Sequence, residues 1–263
     1  MKNMAARAGI LIRSVYMLIV YVIVGMCVGT AAASASMDVY RAHPMLWTLI
    51  SALIVIPLCM VEMKHQGYLK EEASRRGAWA DWIFLVILAV SSCIALNYWI
   101  AMSGLMKLFP GFEKVAESIY GGSLLEELLA VALAAPVVEE LLFRGLAYRG
   151  FKVLWGRNIA MFAASLLFGV YHGNFVQGLY AFLIGMLLVY VYEAFGTIWA
   201  PVIFHVAANL VSIVMTECLD MTVVTESILN ELVFTIFFTV TGILAFAALK
   251  RSRRLKKTDL RKS

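Results

Sequence analysis

The sequence predicts an all-α fold, a polytopic membrane helix bundle of about eight transmembrane helices. Three observations predict it. Hydrophobic residues fill 62% of the 263 positions and charged residues only 15%, against about 45–50% and about 25% in ordinary soluble domains. The apolar residues fall into runs of about 20, the length that crosses a hydrocarbon core. Basic residues collect in alternate connections between those runs.

The predicted spans are residues 10–32, 44–62, 81–103, 124–148, 158–172, 175–193, 198–215 and 229–249. The first carries Lys2 and Arg7 ahead of it, and Arg13 can snorkel to the interface. Ala33-Ser34-Ala35 has the look of a signal-cleavage site, but the apolar run is long for a signal, so an uncleaved helix is expected. The segment 63–80, MKHQGYLKEEASRRGAWA, reads as an interfacial or exposed linker. The fifth span is about 15 residues, or about 22 Å at 1.5 Å per residue, short of a ~30 Å core. Only Gly173 and Asn174 join it to the sixth, which predicts a hairpin that turns inside the bilayer against protein or a wet cavity.

The charge of +5 is unevenly placed. Lys64, Lys70, Arg75, Arg76, Arg149, Lys152 and Arg157 share one side with the termini, and the tail from Lys250 is strongly basic. The other side holds Arg41, Lys107 and Lys114, with Glu217, Asp220 and Glu226. The positive-inside rule makes both termini cytoplasmic. The basic balance therefore reports orientation and a lipid bilayer, and no nucleic-acid partner is expected. Cys27, Cys59, Cys93 and Cys218 form no CxxC and read as small apolar residues.

The polar residues that lipid would reject carry the functional reading. A charge at the bilayer centre costs roughly 2.5–3.5 kcal/mol, yet APVVEELLFRG runs from Ala135 to Gly145. Glu140 and Arg144 stand at i, i+4, acid before base, the favourable order for an ion pair. Glu139 points about 100° away and is left over, so it must be protonated, hydrated or paired with another helix. Pro136 removes a backbone hydrogen bond one turn earlier and opens room for water. Glu126 and Glu127 are the structural acids of a helix start, since SLLE from Ser123 fits a capping box. His43 and His65 read as solvated.

Two further histidines lie inside apolar segments. Phe168 and His172 share one face of the fifth helix, and His205 and Asn209 one face of the seventh, where Pro201 suits the first turn. A lone membrane histidine is often an interhelical hydrogen bond; two, with an asparagine and a spare glutamate, form a constellation. A buried carboxylate helped by a histidine can deprotonate water. A second histidine and a carboxamide can donate to a developing oxyanion, each donor worth about 2.7–4 kcal/mol. Amide hydrolysis within the bilayer is one coherent reading. There is no GxSxG and no HExxH. A proton-coupled transporter also uses intramembrane Glu, His and Arg, but no internal repeat is visible, and a non-catalytic membrane scaffold is a third reading.

EELLFR (139–144), FGVYH (168–172) and HVAAN (205–209), in that order on successive apolar segments, resemble the CPBP family, the CAAX-processing and bacteriocin-processing proteases also called Abi. The resemblance covers about 120–215. It implies an intramembrane endopeptidase acting on a prenylated, leader or membrane-protein peptide. It further implies that Glu139 and His172 activate water, that His205 and Asn209 line the oxyanion site, and that Glu140, Arg144 and Phe168 support them. On this basis residues 1–119 are N-terminal transmembrane helices, 120–215 the catalytic core, 216–249 the last transmembrane helix and 250–263 a basic cytoplasmic tail. Glu139, His172 and His205 can in principle ligate Zn²⁺ with an open fourth position. Asn209 sides with a metal-free route, because an amide is a poor zinc ligand and a good oxyanion donor. By the predicted boundaries, His172 lies near the outer end of its helix and His205 nearer the inner end of its own, so the fifth helix must start deep or the seventh must tilt.

Overall fold

The computed structural model describes residues 2–68, 79–109, 111 and 123–259. Of the predicted linker 63–80, residues 69–78 lie outside the described residues, as do Lys114 and tail residues 260–263. The chain is helical throughout the described regions. In order come α1 (Lys2–Ala35), α2 (Met37–Ala42), α3 (Pro44–His65), α4 (Trp79–Met102) and α5 (Leu105–Leu108). The run 124–155 follows as α6 (Leu124–Glu127), a π-helix Leu128–Ala134, α7 (Ala135–Glu140), a π-helix Leu141–Tyr148 and α8 (Arg149–Trp155). Then come α9 (Arg157–Tyr171), α10 (Phe175–Phe195), α11 (Trp199–Ile213), a π-helix Val214–Cys218, α12 (Thr222–Thr225) and α13 (Ile228–Asp259).

Six helices among the described residues are long and apolar enough to cross a membrane. The count of eight is therefore not confirmed, and the two remaining spans depart for different reasons. The fifth, α9, is a 15-residue apolar helix, short as its length in sequence requires. The fourth is not one regular helix. Pro136 has no N–H for the carbonyl four residues back, and the turns before it widen to π geometry, with Ala135 N–H donating to Ala130 O. A second wide stretch follows the glutamates.

The 124–155 run is the axis of the bundle. α1 packs on α3, and both lie against this run. α11 covers it from another side, and the α9–α10 pair touches the second π-helix. α4 lies against α11, and α13 runs along α4 at the periphery. Ile19, Ile23, Leu53, Ile54, Phe237 and Ile243 point outward although large and apolar. An exterior of that kind fits hydrocarbon as solvent, and with the six long apolar helices it makes the chain an integral membrane protein. All four cysteines are free thiols.

The predicted tight hairpin is present. Gly173 takes φ +67°, a left-handed value that favours glycine. Asn174 caps α10, its side chain accepting from the Val176 and Gln177 N–H groups. Higher up, α9 and α10 meet backbone to backbone at Gly169 and Gly178. A Cβ on Gly169 would stand 2.6 Å from the Gly178 carbonyl oxygen, and one on Gly178 would stand 2.8 Å from that of Gly169.

Backbone cannot yield as a flexible side chain does. Gly169→Ala is therefore expected to destabilise the folded state by about 1–3 kcal/mol, read as a lower thermal midpoint in detergent. Gly9→Ala, where nothing lies within 4 Å, leaves the midpoint in place. Equal midpoints for the two variants would contradict the close crossing.

Candidate active site

The two glutamates end α7, where the helical register changes. Both are buried: Glu139 is 8% exposed and Glu140 has no exposed surface. The predicted i, i+4 pair forms, with Arg144 Nη1 donating to Glu140 Oε1 at 2.8 Å. Arg144 is itself fully buried. Its Nη2 donates to the Gly185 carbonyl on α10 at 3.3 Å, and its guanidinium carbon lies 4.4 Å from the centre of the Phe168 ring. A side chain at 185 would press on this arrangement, since a Cβ there would sit 3.1 Å from Ser165 Cβ and 3.3 Å from Arg144 Nη2.

Glu140 has a second partner that local spacing does not reveal. His205 Nδ1 lies 2.8 Å from Glu140 Oε1, and the carboxylate can only accept, so the imidazole donates. The opposite ring nitrogen, Nε2, then faces Glu139, at 3.8 Å from its Oε2. One imidazole thus stands between two adjacent carboxylates. Glu140 is tied to both Arg144 and His205, whereas Glu139, spare in its own helix, faces His205 Nε2 across 3.8 Å.

His172 follows the last turn of α9, and its Nδ1 donates to the Phe168 carbonyl at 2.8 Å. That bond leaves Nε2 as the outward-facing nitrogen. The Phe168 ring lies edge-on to both imidazoles, 4.8 Å from His172 and 5.8 Å from His205 between ring centres. The mismatch in depth expected from the helix boundaries is thereby absent. Phe168, one turn before the end of α9, packs its ring against His205 in the middle of α11.

Glu139, Phe168, His172, His205 and Asn209 all line one cavity of about 300 Å³. Asn209 does so with one amide hydrogen already engaged, Nδ2 donating to the Val131 carbonyl in the first π-helix at 2.8 Å. Residues that sequence reasoning missed complete the wall: Thr48, Asn97, Tyr171 and Gln177. Nothing in their local spacing signals a site, because they arrive from α3, α4, the end of α9 and the start of α10. A second cavity of about 480 Å³ adjoins it, sharing Met45, Thr48 and Tyr171.

Two sequence expectations near this site change in detail. Ser123 does cap the helix start, accepting from the Glu126 N–H. Glu126 is also held by His43, 2.6 Å away, so His43 is paired rather than merely solvated. Among the described residues no three His, Cys, Asp or Glu side chains are grouped so as to hold one metal ion. The donor set Glu139, His172 and His205 therefore does not close into a ligand cluster in this geometry.

Residues 121–211 match the family described as Rce1-like, the type II CAAX prenyl endopeptidase Rce1-like proteins. All three motifs fall within that segment, and the match is consistent with the CPBP family resemblance. The chain is also similar to the UPF0177 protein YajF of Lactococcus lactis subsp. lactis (strain IL1403), at 31% identity over 136 residues, or 48% of this chain. The chain spans 62% of the length of that curated relative. No solved structure matches.

Removing one member of a buried ion pair strands the other charge, at a cost of about 3–5 kcal/mol. Arg144→Met is thus expected to collapse folded yield and lower the thermal midpoint in detergent. The double substitution Glu140→Gln with Arg144→Met recovers much of that loss. No recovery in the double variant would show that the pair is not what holds these helices.

Proposed function

We propose that this chain is an intramembrane endopeptidase that hydrolyses a peptide bond in an apolar, membrane-associated substrate. The observation that carries the reading is the convergence of Glu139, His172, His205 and Asn209, from three helical elements, on one cavity. The Rce1-like match over the same segment supports it. A prenylated C-terminal peptide, a leader peptide and a membrane-protein segment are all compatible with a largely apolar wall. The basic tail and loops support a cytoplasmic side for both termini.

In this mechanism a water molecule sits between Glu139 and His172 Nε2. The Glu139 carboxylate takes a proton from it as the oxygen attacks the substrate carbonyl carbon. The new C–O bond leaves a tetrahedral intermediate with charge on the former carbonyl oxygen. His205 donates from Nε2 to that oxygen while Glu140 fixes the ring through Nδ1. Asn209 donates with its second amide hydrogen, aimed by the bond its first makes to Val131. Such donors are worth about 2.7–4 kcal/mol each when preorganised. The proton on Glu139 passes to the leaving nitrogen as the C–N bond breaks. Glu140, Arg144 and Phe168 position these groups without touching substrate. No step is routed through a metal.

The test is cleavage of a set of quenched-fluorescence apolar peptides, prenylated and plain, by purified protein in detergent. Glu139→Gln and His172→Ala are expected to lower kcat by at least about 10²-fold while the protein stays folded. Asn209→Ala is expected to lower it by about 10²–10³-fold. Turnover that survives Glu139→Gln removes the mechanism. Loss of activity on chelation, restored by Zn²⁺, replaces it with a metal-assisted one. Proton-coupled uptake in proteoliposomes with no proteolysis favours the transporter, and binding with neither activity favours the scaffold.

A further inference from the structure

Three carboxamides line the candidate catalytic cavity: Asn97, Gln177 and Asn209. Two are committed to the protein. Asn97 Nδ2 donates to the Cys93 carbonyl at 2.9 Å, and Asn209 Nδ2 donates to that of Val131. Gln177 differs: its backbone N–H is held by Asn174, but its side-chain amide has no partner among the described residues. It is half-buried and stands on the first turn of α10. In a helix the Cα–Cβ bond tilts toward the N-terminus, which leans Gln177 back toward the turn that carries His172. A polar side chain facing an apolar-walled chamber meets water or a ligand there.

A carboxamide presents a donor and an acceptor side by side, the complement of a peptide unit's C=O and N–H. We propose that Gln177 is a substrate-positioning residue that clamps the substrate's main chain beside the scissile bond. Asn97 lies on the wall with its carboxamide turned by the Cys93 bond, which leaves its Oδ1 to accept from a second peptide N–H. The inference rests on the endopeptidase reading and extends it. The ligand class is an extended peptide backbone, recognised by its amide groups whatever its side chains. Gln177 lies within the matched segment, whereas Asn97 on α4 lies outside it, so the clamp joins the motif-bearing core to a flanking helix.

Gln177→Met keeps the length and apolar bulk of the side chain and removes both hydrogen bonds. With the best-cleaved peptide of the quenched-fluorescence set, this variant is expected to raise KM about tenfold and leave kcat within about twofold. N-methylation of the substrate backbone, one amide at a time, is expected to cost the wild type about tenfold at one position and the variant nothing there. A kcat loss at constant KM, or equal sensitivity to N-methylation, overturns the clamp while the endopeptidase reading stands. Fluorescence anisotropy of the same peptides on Glu139→Gln protein, with and without Gln177→Met, reads binding apart from turnover. If no peptide is cleaved, that arm decides: affinity unchanged by Gln177→Met, or no binding at all, overturns the clamp. Should Gln177→Met fail to fold by thermal midpoint, Gln177→Ala replaces it in both arms.

Discussion

A guanidinium with no exposed surface has to find its counter-charge inside the protein, and the organisation of this bundle follows from how Arg144 does so. Taking an ion out of water costs several kcal/mol even after relaxation. Arg144 meets that cost with the Glu140 carboxylate at 2.8 Å, the Gly185 carbonyl at 3.3 Å and the face of Phe168 at 4.4 Å. Each partner belongs to a different element, so one charge ties the 124–155 run to α9 and α10. Glu140 then passes the link to α11 through His205. The residue that neutralises the arginine also aims an imidazole at the cavity, and stability and site geometry are coupled through a single carboxylate.

The same economy appears in the backbone. π turns leave carbonyls without their usual α-helical partners and are frequent at functional sites. Here Val131, in such a turn, receives an amide hydrogen from Asn209. The widened turns, one just before Pro136 and one containing Gly145, interrupt the α-helical register of a run that would otherwise be a plain span. Glu139 and Glu140 lie between them, where the axis run presents two carboxylates to the one imidazole of His205. Gly145 gives close room to Met63 of α3, whose sulfur would stand 2.8 Å from a Cβ at that position.

The cavity is built by more of the chain than the segment that matches the Rce1-like family. Met45 and Thr48 on α3, and Asn97 and Ile100 on α4, line it from outside residues 121–211. The motif-bearing helices bring the Glu, His and Asn side chains to the cavity, and the flanking helices close part of the wall around them.

Local regularities were legible in the sequence because helix geometry is carried by each residue's neighbours. The 3.6-residue period put Glu140 on the face of Arg144 and left Glu139 apart from it. The Gly173-Asn174 pair showed a tight helix–helix turn, and apolar run lengths showed a membrane bundle with a short fifth helix. The change of helical register along 124–155 was not legible, since composition presents that run as one regular helix. Nor was the bond from His205 to Glu140, 65 residues away, or the reach of Arg144 to a backbone carbonyl 41 residues on. Those depend on which helices lie side by side and at what height, which is decided by packing among distant segments, by the glycine contact of α9 with α10, and by the need to pair the buried Arg144 charge.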